Sequence, residues 1–266
     1  MPNPLGQELV ELLQRRFDET TFTSVTTLEA KPAQFGPWPE WVLPGLKTYL
    51  QGHDVAKLYS HQVKVAEEAW RGNDVVVATG TSSGKSLGYL LPVLTRLAEE
   101  PTACALYITP TKALGSDQLH AVLQICREVE QLRGVVAAPY DGDSPTESRP
   151  GIRDDARFIF SNPDMIHMSM LASHQRWARF LRHLRFIVVD ECHSYRGVFG
   201  ANVALVLRRL LRLCEHYGAH PVVISASATM KDPALHAQRL TGRDTVAVTE
   251  DGAPAGARTV ALCEPG

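Results

Sequence analysis

The 266-residue sequence has no excess of positive charge, no long apolar run and no closely paired cysteines. Its formal net charge is −2, so no positive potential over the whole chain indicates a nucleic-acid-binding protein. Nucleic acid could still bind at a local contact surface. No run approaches the ~20 apolar residues that cross a bilayer. Met1 is followed by a polar segment with prolines, not by a signal peptide. We therefore expect a cytoplasmic protein without a membrane partner.

The cysteines argue against two further classes of protein. There are five, an odd number, and no two of them form a C-x-x-C motif. This pattern excludes a disulfide framework and a typical zinc site, and it fits a reducing compartment. The five are Cys104, Cys126, Cys192, Cys214 and Cys263.

The first 50 residues differ in character from the rest. Residues 5–17 show helical spacing of apolar side chains, which predicts a short amphipathic helix. Residues 32–46 contain four prolines together with Trp38 and Trp41, which indicates an irregular arm anchored by aromatic rings. We place a domain boundary near residue 50, so that residues 51–248 form the main domain.

Six short apolar runs in the main domain alternate with helical patterns. Because the runs are apolar throughout, they predict a parallel sheet that is covered by helices on both faces, an α/β fold. Ligands of such sheets bind at the carboxyl ends of the strands. The candidate strands are residues 75–78, 105–110, 134–140, 157–163, 185–191 and 221–229.

The stretch DVVVATGTSSGKS, residues 74–86, has the form of a strand, a loop and a helix start near Gly84. Backbone N–H groups at such a helix start bind phosphate oxygens, with Lys85 reaching the outer phosphates and Ser86 placed to ligate Mg²⁺. Thr79 stands where the G-x-x-x-x-G-K-[ST] pattern has its first glycine. The alternative is an ordinary Gly/Ser turn that carries an exposed lysine.

A second candidate strand ends in two adjacent acids, Asp190 and Glu191. A nucleotide site with Mg²⁺ needs one carboxylate for the metal and another to orient and deprotonate a water molecule. We assign Asp190 to the metal and Glu191 to the water. A strand that merely ends in solvated acids is the alternative.

Five motifs in this order resemble the first RecA-like domain of superfamily 2 DEAD/DEAH-box helicases. They are TGTSSGKS (79–86), TPTKALGSDQ (109–118), SNPDMIH (161–167), DECH (190–193) and SAT (227–229). More narrowly, four segments are similar to the RecQ-like DNA helicases exemplified by mitomycin repair factor, which carry a cysteine-containing C-terminal domain. These segments are LYSHQ (58–62), YDGDSP (140–145), SNPDMIH (161–167) and DECHSYRGVFG (190–200).

The resemblance implies roles for individual residues. Lys85, Asp190 and Glu191 would be catalytic, and Ser86 and Asp190 would hold Mg²⁺. Gln62 would contact the adenine of ATP, and the rest of the ATP site would be Thr81, Ser82, Ser83, Gly84, Lys85 and Ser86. The residues that would couple this site to strand separation are His193, Ser227 and Thr229. Those that would contact nucleic acid are Thr109, Thr111, Lys112, Asn162 and Asp164. From the residues alone, Gln62 could be a surface amide, Ser227 and Thr229 a strand end, and Asn162 and Asp164 plain helix caps.

The implied protein is the N-terminal motor domain of an ATP-dependent DNA helicase that moves 3′ to 5′ in DNA repair, near the nucleoid if bacterial. It would use ATP and Mg²⁺ and bind single-stranded or tailed DNA. We expect residues 249–266 to be a linker toward a second RecA-like domain that this chain lacks, so that the chain alone hydrolyses ATP slowly. An ATP-driven translocase on duplex DNA and a non-catalytic nucleotide-dependent binding module are the alternatives.

Overall fold

A computed structural model describes residues 4–16 and 22–263. Its helices are α1 (Pro4–Arg16), α2 (Pro44–Gly52), α3 (Ser60–Trp70), α4 (Lys85–Glu99), α5 (Lys112–Glu128), α6 (Arg149–Asp155), α7 (Pro163–Met165), α8 (Ala178–Arg182), α9 (Gly197–His216) and α10 (Pro233–Thr241). Its strands are β1 (Phe22–Leu28), β2 (Phe35–Gly36), β3 (Leu58–Tyr59), β4 (Val75–Ala78), β5 (Cys104–Ile108), β6 (Ala137–Pro139), β7 (Phe158–Ser161), β8 (Leu184–Val189), β9 (Val222–Ser227), β10 (Val246–Val248) and β11 (Arg258–Cys263).

The chain divides into two compact units, and their boundary differs from the one predicted near residue 50. The larger unit is Gly36–Asp251, and the smaller one combines Met1–Phe35 with Gly252–Gly266. The boundary predicted near residue 50 falls inside α2 instead, because Leu46 and Leu50 on that helix are buried in the core of the larger unit. The proline-rich segment before α2 is held by Trp41, whose ring stacks on Trp70 at a centroid distance of 4.3 Å.

In the smaller unit, β1 pairs with β11 in an antiparallel ladder that sets Val25 opposite Ala261. We expected residues 249–266 to form a linker, and the structure instead builds a strand from six of them. The partner strand lies more than 200 residues away in the sequence. Local patterns of apolar and polar residues carry no information about such a distant pairing.

The larger unit is built on a seven-stranded sheet in the order β10-β4-β9-β8-β5-β7-β6. All of its strand pairs are parallel. The predicted RecA-like α/β fold is therefore confirmed, and the six predicted strands gain a seventh, β10, at the edge. The three-residue run of β10 is too short to stand out as a strand in the sequence.

Alternate residues of the central strands point to opposite faces of the sheet, and each face has its own apolar core. Val75 and Val77 on β4 belong to the core that α2, α3, α4 and α5 cover. Val76 belongs to the core on the other face, where α9 and α10 pack. Burying each such side chain contributes about 1.5–3 kcal/mol, so the two layers hold the strand ends in fixed positions. No helix among the described residues combines the length and the apolar character needed to span a bilayer.

Candidate active site and nucleic-acid groove

Every predicted functional segment that follows a sheet strand leaves the same edge of the sheet. Since all the strands are parallel, their carboxyl ends meet at one edge. Across that edge β4, β9, β8, β5 and β7 are successive neighbours. The segments that follow them are, in the same order, residues 79–86, 228–230, 190–193, 109–112 and 162–164.

The loop between β4 and α4 curls through two left-handed residues, Ser82 at φ 62° and Gly84 at φ 75°. Such a loop turns successive N–H groups toward one side, and that concave side binds anions. A side chain at Gly84 would place its Cβ 2.7 Å from Gln62 Nε2. Both the backbone conformation and the lack of space therefore require glycine at this position.

Lys85 and Gln62 both bind the loop in this structure. Lys85 Nζ donates to the carbonyl oxygen of Gly80 at 2.8 Å. Gln62 Nε2 donates to the carbonyl oxygen of Gly84 at 2.8 Å, and Gln62 Oε1 accepts from the N–H of Tyr59 at 2.8 Å. The amide of Gln62 is 3% exposed, so it is not the surface amide that was the alternative. Both side chains keep further hydrogen-bonding capacity, since an ammonium group has three donors and an amide has two donor and two acceptor sites.

The departure at Thr79 has a structural explanation. Thr79 is buried, and its hydroxyl shares a 2.8 Å hydrogen bond with Ser83 Oγ across the base of the loop. Gly80 N–H donates to Asp251 Oδ2 at 3.0 Å, which fixes the same end of the loop. Thr81 and Ser82 are exposed at the tip. The threonine thus stabilises the loop where the motif has its first glycine.

Asp190 is held from three directions. Its N–H donates to the carbonyl oxygen of Ile108 at 2.8 Å, its Oδ1 accepts from the N–H of Glu191 at 2.9 Å, and its Oδ2 accepts from the hydroxyl of Tyr107. The sequence analysis did not single out Tyr107. Desolvation raises the pKa of this fully buried tyrosine far above its usual range, so its hydroxyl remains a donor. A polar hydroxyl within an otherwise apolar strand was the signal that could have identified it.

Glu191 adopts the left-handed conformation at φ 49°, which is costly for a residue other than glycine. Its Oε2 lies 3.1 Å from Nδ1 of His193. The N–H of Ala228 lies 3.4 Å from the same nitrogen. Nδ1 can donate to Glu191 only when it carries a proton, and it can accept from Ala228 only when it does not. His193 therefore links the second acid to the segment after β9.

Ser227 and Thr229 occupy different environments. Ser227 is fully buried, and its hydroxyl donates to the carbonyl oxygen of Ala228 at 2.7 Å and lies 3.3 Å from Met230 Sδ. Burial raises the pKa of the Cys192 thiol to about 12, so this cysteine stays protonated near neutral pH. Thr229 is exposed. Ser227 thus lies at the end of a buried strand, whereas Thr229 lies on the surface.

The donor set at this edge suits Mg²⁺. Ser86 and Asp190 offer a hydroxyl and a carboxylate, the hard oxygen ligands that Mg²⁺ prefers. The described part of the chain contains no cluster of three or more His, Cys, Asp or Glu that could hold a metal ion. Mg²⁺ is usually bound by one or two side chains together with substrate phosphates and water, and the residues present fit that mode.

Four of the five predicted nucleic-acid residues line one groove of about 620 Å³: Thr109, Thr111, Lys112 and Asn162. The fifth, Asp164, is exposed and lines a neighbouring groove of about 530 Å³ along α9. The structure therefore brings four of the residues together and separates Asp164 from them.

The side chains of this groove differ in their hydrogen bonds. The hydroxyl of Thr109 is buried and has no hydrogen-bond partner among the described residues. Lys112 Nζ donates to Asp143 Oδ2 at 2.5 Å, and that hydrogen bond raises the pKa of the lysine. Asn162 Oδ1 accepts from the N–H of Met165 at 2.9 Å, so this side chain does cap α7. The groove thus combines hydroxyls and the Lys112 cation with the carboxylates of Asp141 and Asp143.

Comparison with known proteins gives a consistent result. The DEAD/DEAH box helicase family model matches residues 59–237. The chain is 44% identical over 218 residues to ATP-dependent helicase HRQ1 of Saccharomyces cerevisiae, covering 81% of this chain and 20% of that protein. It is 36% identical over 259 residues to the uncharacterized ATP-dependent helicase YprA of Bacillus subtilis, covering 97% of this chain and 34% of that protein.

A solved structure is similar over nearly the whole chain. The crystal structure of the DUF1998 helicase MrfA bound to DNA and AMPPNP matches with a TM-score of 0.89 at 36% identity, covering 95% of this chain and 35% of that one. The chain thus spans between a fifth and about a third of the length of these relatives. With the motifs assembled on one edge of a RecA-like sheet and the family model matching most of that domain, the chain belongs to the DEAD/DEAH box helicase family.

Proposed function

We propose that this chain is the first ATP-binding domain of an ATP-dependent DNA helicase motor. The strand order carries the proposal: the phosphate loop after β4 and the groove after β5 and β7 lie on the two sides of the acids after β8. This order sets the nucleotide site beside the strand groove, with Asp190, Glu191 and His193 between them. The relatives named ATP-dependent helicases support this function.

The proposed chemistry assigns one task to each group. The N–H groups of the loop and Lys85 Nζ hold the phosphates of ATP, and Gln62 contacts the adenine. Mg²⁺ held by Ser86 and Asp190 would neutralise charge on the phosphates. The Glu191 carboxylate orients the attacking water and accepts its proton. His193, which contacts Glu191 and Ala228, and Ser227, which contacts Ala228, couple changes at the nucleotide to the residues after β9.

The proposed nucleic-acid contact is made through the backbone of the strand. Hydroxyls, amides and a lysine bind phosphates without reading sequence, which is how a chain with a net charge of −2 can still hold a strand. DNA is favoured over RNA because MrfA was solved with DNA bound. The 3′-to-5′ polarity and the role in repair rest on the resemblance to the RecQ-like helicases, not on the geometry.

We further propose that a second RecA-like domain faces this edge of the sheet and supplies arginines to the phosphates. The greater length of the relatives supports this proposal. A reducing compartment, the cytoplasm or the bacterial nucleoid, is proposed from the cysteines. The four whose side chains the structure describes are free and buried.

Nucleotide binding tests the proposal. Lys85→Ala removes the cation of the loop, while Lys64→Ala removes an exposed lysine on α3 as a matched control. A hydrogen bond to a charged group is worth ~1.5–3 kcal/mol, so we expect Lys85→Ala to weaken binding of a fluorescent ATP analogue about tenfold to a hundredfold. Equal affinities of the two variants would contradict the assignment of the loop.

An unwinding assay on the complete protein separates the helicase from a duplex translocase. We expect strand separation on a 3′-tailed duplex and little on a 5′-tailed one. Movement along duplex DNA without separation of either substrate would favour the translocase. Nucleotide-dependent strand binding without hydrolysis would favour a binding module.

A further inference from the structure

A line of buried polar side chains runs from α5 to Asp190. Tyr107 on β5 is fully buried and donates its hydroxyl proton to Asp190 Oδ2. Tyr89 on α4 is 2% exposed, and its hydroxyl donates to Gln118 Oε1 on α5 at 3.3 Å. The two tyrosine rings have centroids 6.1 Å apart. Two hydrogen bonds, joined by the packing of the two tyrosine rings, therefore connect α5 to the proposed metal ligand through the core beneath the sheet edge.

Tyr89 stands at a branch point in this line. Its other polar neighbours are the Tyr107 hydroxyl and the Asp190 carboxylate, which both act on its pKa although neither forms a hydrogen bond with it in this structure. A tyrosine hydroxyl has a single proton, so it can donate to Gln118 or to the Asp190 side of the line, but not to both. The bond to Gln118 is long for an O–H···O contact and is correspondingly weak. A shift of α5 that lengthened this bond would leave the Tyr89 proton available to an acceptor on the Asp190 side.

The N-terminal end of α5 lies in the groove lined by the predicted nucleic-acid residues. Thr111 precedes the first residue of the helix, Lys112, and both line the groove. Gln118 follows Lys112 by six residues, less than two turns of a rigid helix. A strand that binds Thr111 and Lys112 and displaces this end of α5 thus also displaces Gln118 Oε1.

We propose that Tyr89 and Tyr107 are positioning residues that couple strand binding in the groove to the orientation of Asp190. Without a strand, Tyr107 alone holds the Asp190 carboxylate and Tyr89 bonds Gln118. When α5 moves with a bound strand, Tyr89 gives up that bond and donates toward Asp190, which changes the direction of the carboxylate. This inference rests on the proposed function. It adds a route between the two sites that is separate from His193 and the segment after β9.

The test measures binding, in the complete protein, of a non-hydrolysable ATP analogue with Mg²⁺, in the presence and absence of a single-stranded DNA oligonucleotide. The ratio of the two affinities is the coupling factor, which is typically 5- to 150-fold where two sites communicate. We expect Tyr89→Phe to reduce this factor at least about threefold, with less than a twofold change in analogue affinity without DNA. Gln118→Met should have the same effect.

Tyr107→Phe gives a second, different signature. We expect it to weaken analogue binding about tenfold in Mg²⁺ and to leave analogue binding in EDTA unchanged, because the hydroxyl acts on the proposed metal ligand. Tyr217→Phe is the matched control: it deletes a hydroxyl that bonds His174 Nδ1 at 2.8 Å, away from this line. If the substitution only loosened the packing, the melting temperature would fall and analogue binding would change equally in Mg²⁺ and in EDTA.

A double variant completes the test. If Tyr89 and Gln118 act in one line, adding Gln118→Met to Tyr89→Phe should change the coupling factor no further, whereas independent residues should have additive effects. The inference is overturned if the tyrosine variants keep the wild-type coupling factor and Mg²⁺ dependence. A wild-type protein that fails to bind the analogue would instead contradict the proposed function itself.

Discussion

Gly84 is the residue on which the shape of the phosphate loop depends most. It has a left-handed backbone, and the space where its side chain would stand is filled by the amide of Gln62. Placing another residue in this conformation costs ~1–2 kcal/mol. The same amide bonds the carbonyl oxygen of Gly84, so a side chain at position 84 would also separate Gln62 from the loop.

We therefore expect Gly84→Ala to lower the free energy of unfolding by about 1–2 kcal/mol and to weaken binding of the ATP analogue. Urea denaturation and fluorescence titration measure the two effects. Gly134→Ala is the control, because nothing lies within 4 Å of a Cβ at that exposed turn. Wild-type stability and affinity in the Gly84 variant would show that the loop tolerates another conformation.

The start of β4 depends on a buried acid. Asp74 Oδ1 accepts from the N–H of Val223 on β9 at 2.8 Å, which ties the amino ends of two central strands together. Burial raises the pKa of Asp74 above its ordinary value of 3.8, against smaller opposite effects of that hydrogen bond and of Arg243. The folded protein therefore binds a proton at Asp74 more tightly than the unfolded chain does.

This raised pKa predicts the sign of a pH effect. Between the unfolded and folded pKa values the native state holds more protons, so the contribution of Asp74 to stability is greatest below pH 3.8 and is lost as the pH rises through its folded pKa. The stability of wild type minus that of Asp74→Asn should therefore fall as the pH rises through this window. Thermal unfolding at a series of pH values measures it. A difference that stays constant or rises with pH would contradict this account of Asp74.

The sequence predicted the central strands of the sheet better than it predicted contacts between residues that lie far apart in the chain. The sequence singled out Lys85 and Asp190 because each lies beyond an apolar run that is typical of a buried strand. The bond from Tyr107 to Asp190 joins residues 83 positions apart, and no local pattern encodes it. The pairing of β1 with β11 escaped prediction for the same reason. Strand β10 was not predicted because three residues are too few to show the alternation of apolar and polar side chains that marks a strand.

Under the proposed function, the molecule as a whole presents one side of a nucleotide site. In related phosphoryl-transfer enzymes an added arginine contributes about 10³–10⁵ in rate. If that arginine comes from a second RecA-like domain, the 266-residue chain should hydrolyse ATP slowly, and single-stranded DNA should not accelerate it. A steady-state ATPase assay on this chain measures both. Brisk turnover stimulated by DNA would mean that the residues present suffice.

The proposed division of labour between the two acids can be examined in the complete protein. Glu191→Gln keeps the shape of the side chain and removes the base, and Glu130→Gln alters an exposed acid elsewhere as the control. General-base catalysis contributes about 10²–10⁴ in rate, so we expect kcat for DNA-stimulated ATP hydrolysis to fall by that factor in Glu191→Gln while the affinity for ATP stays within about threefold of wild type. Hydrolysis by Glu191→Gln at the wild-type rate, with ATP bound equally well, would contradict the account of this edge of the sheet as an ATP-hydrolysing site.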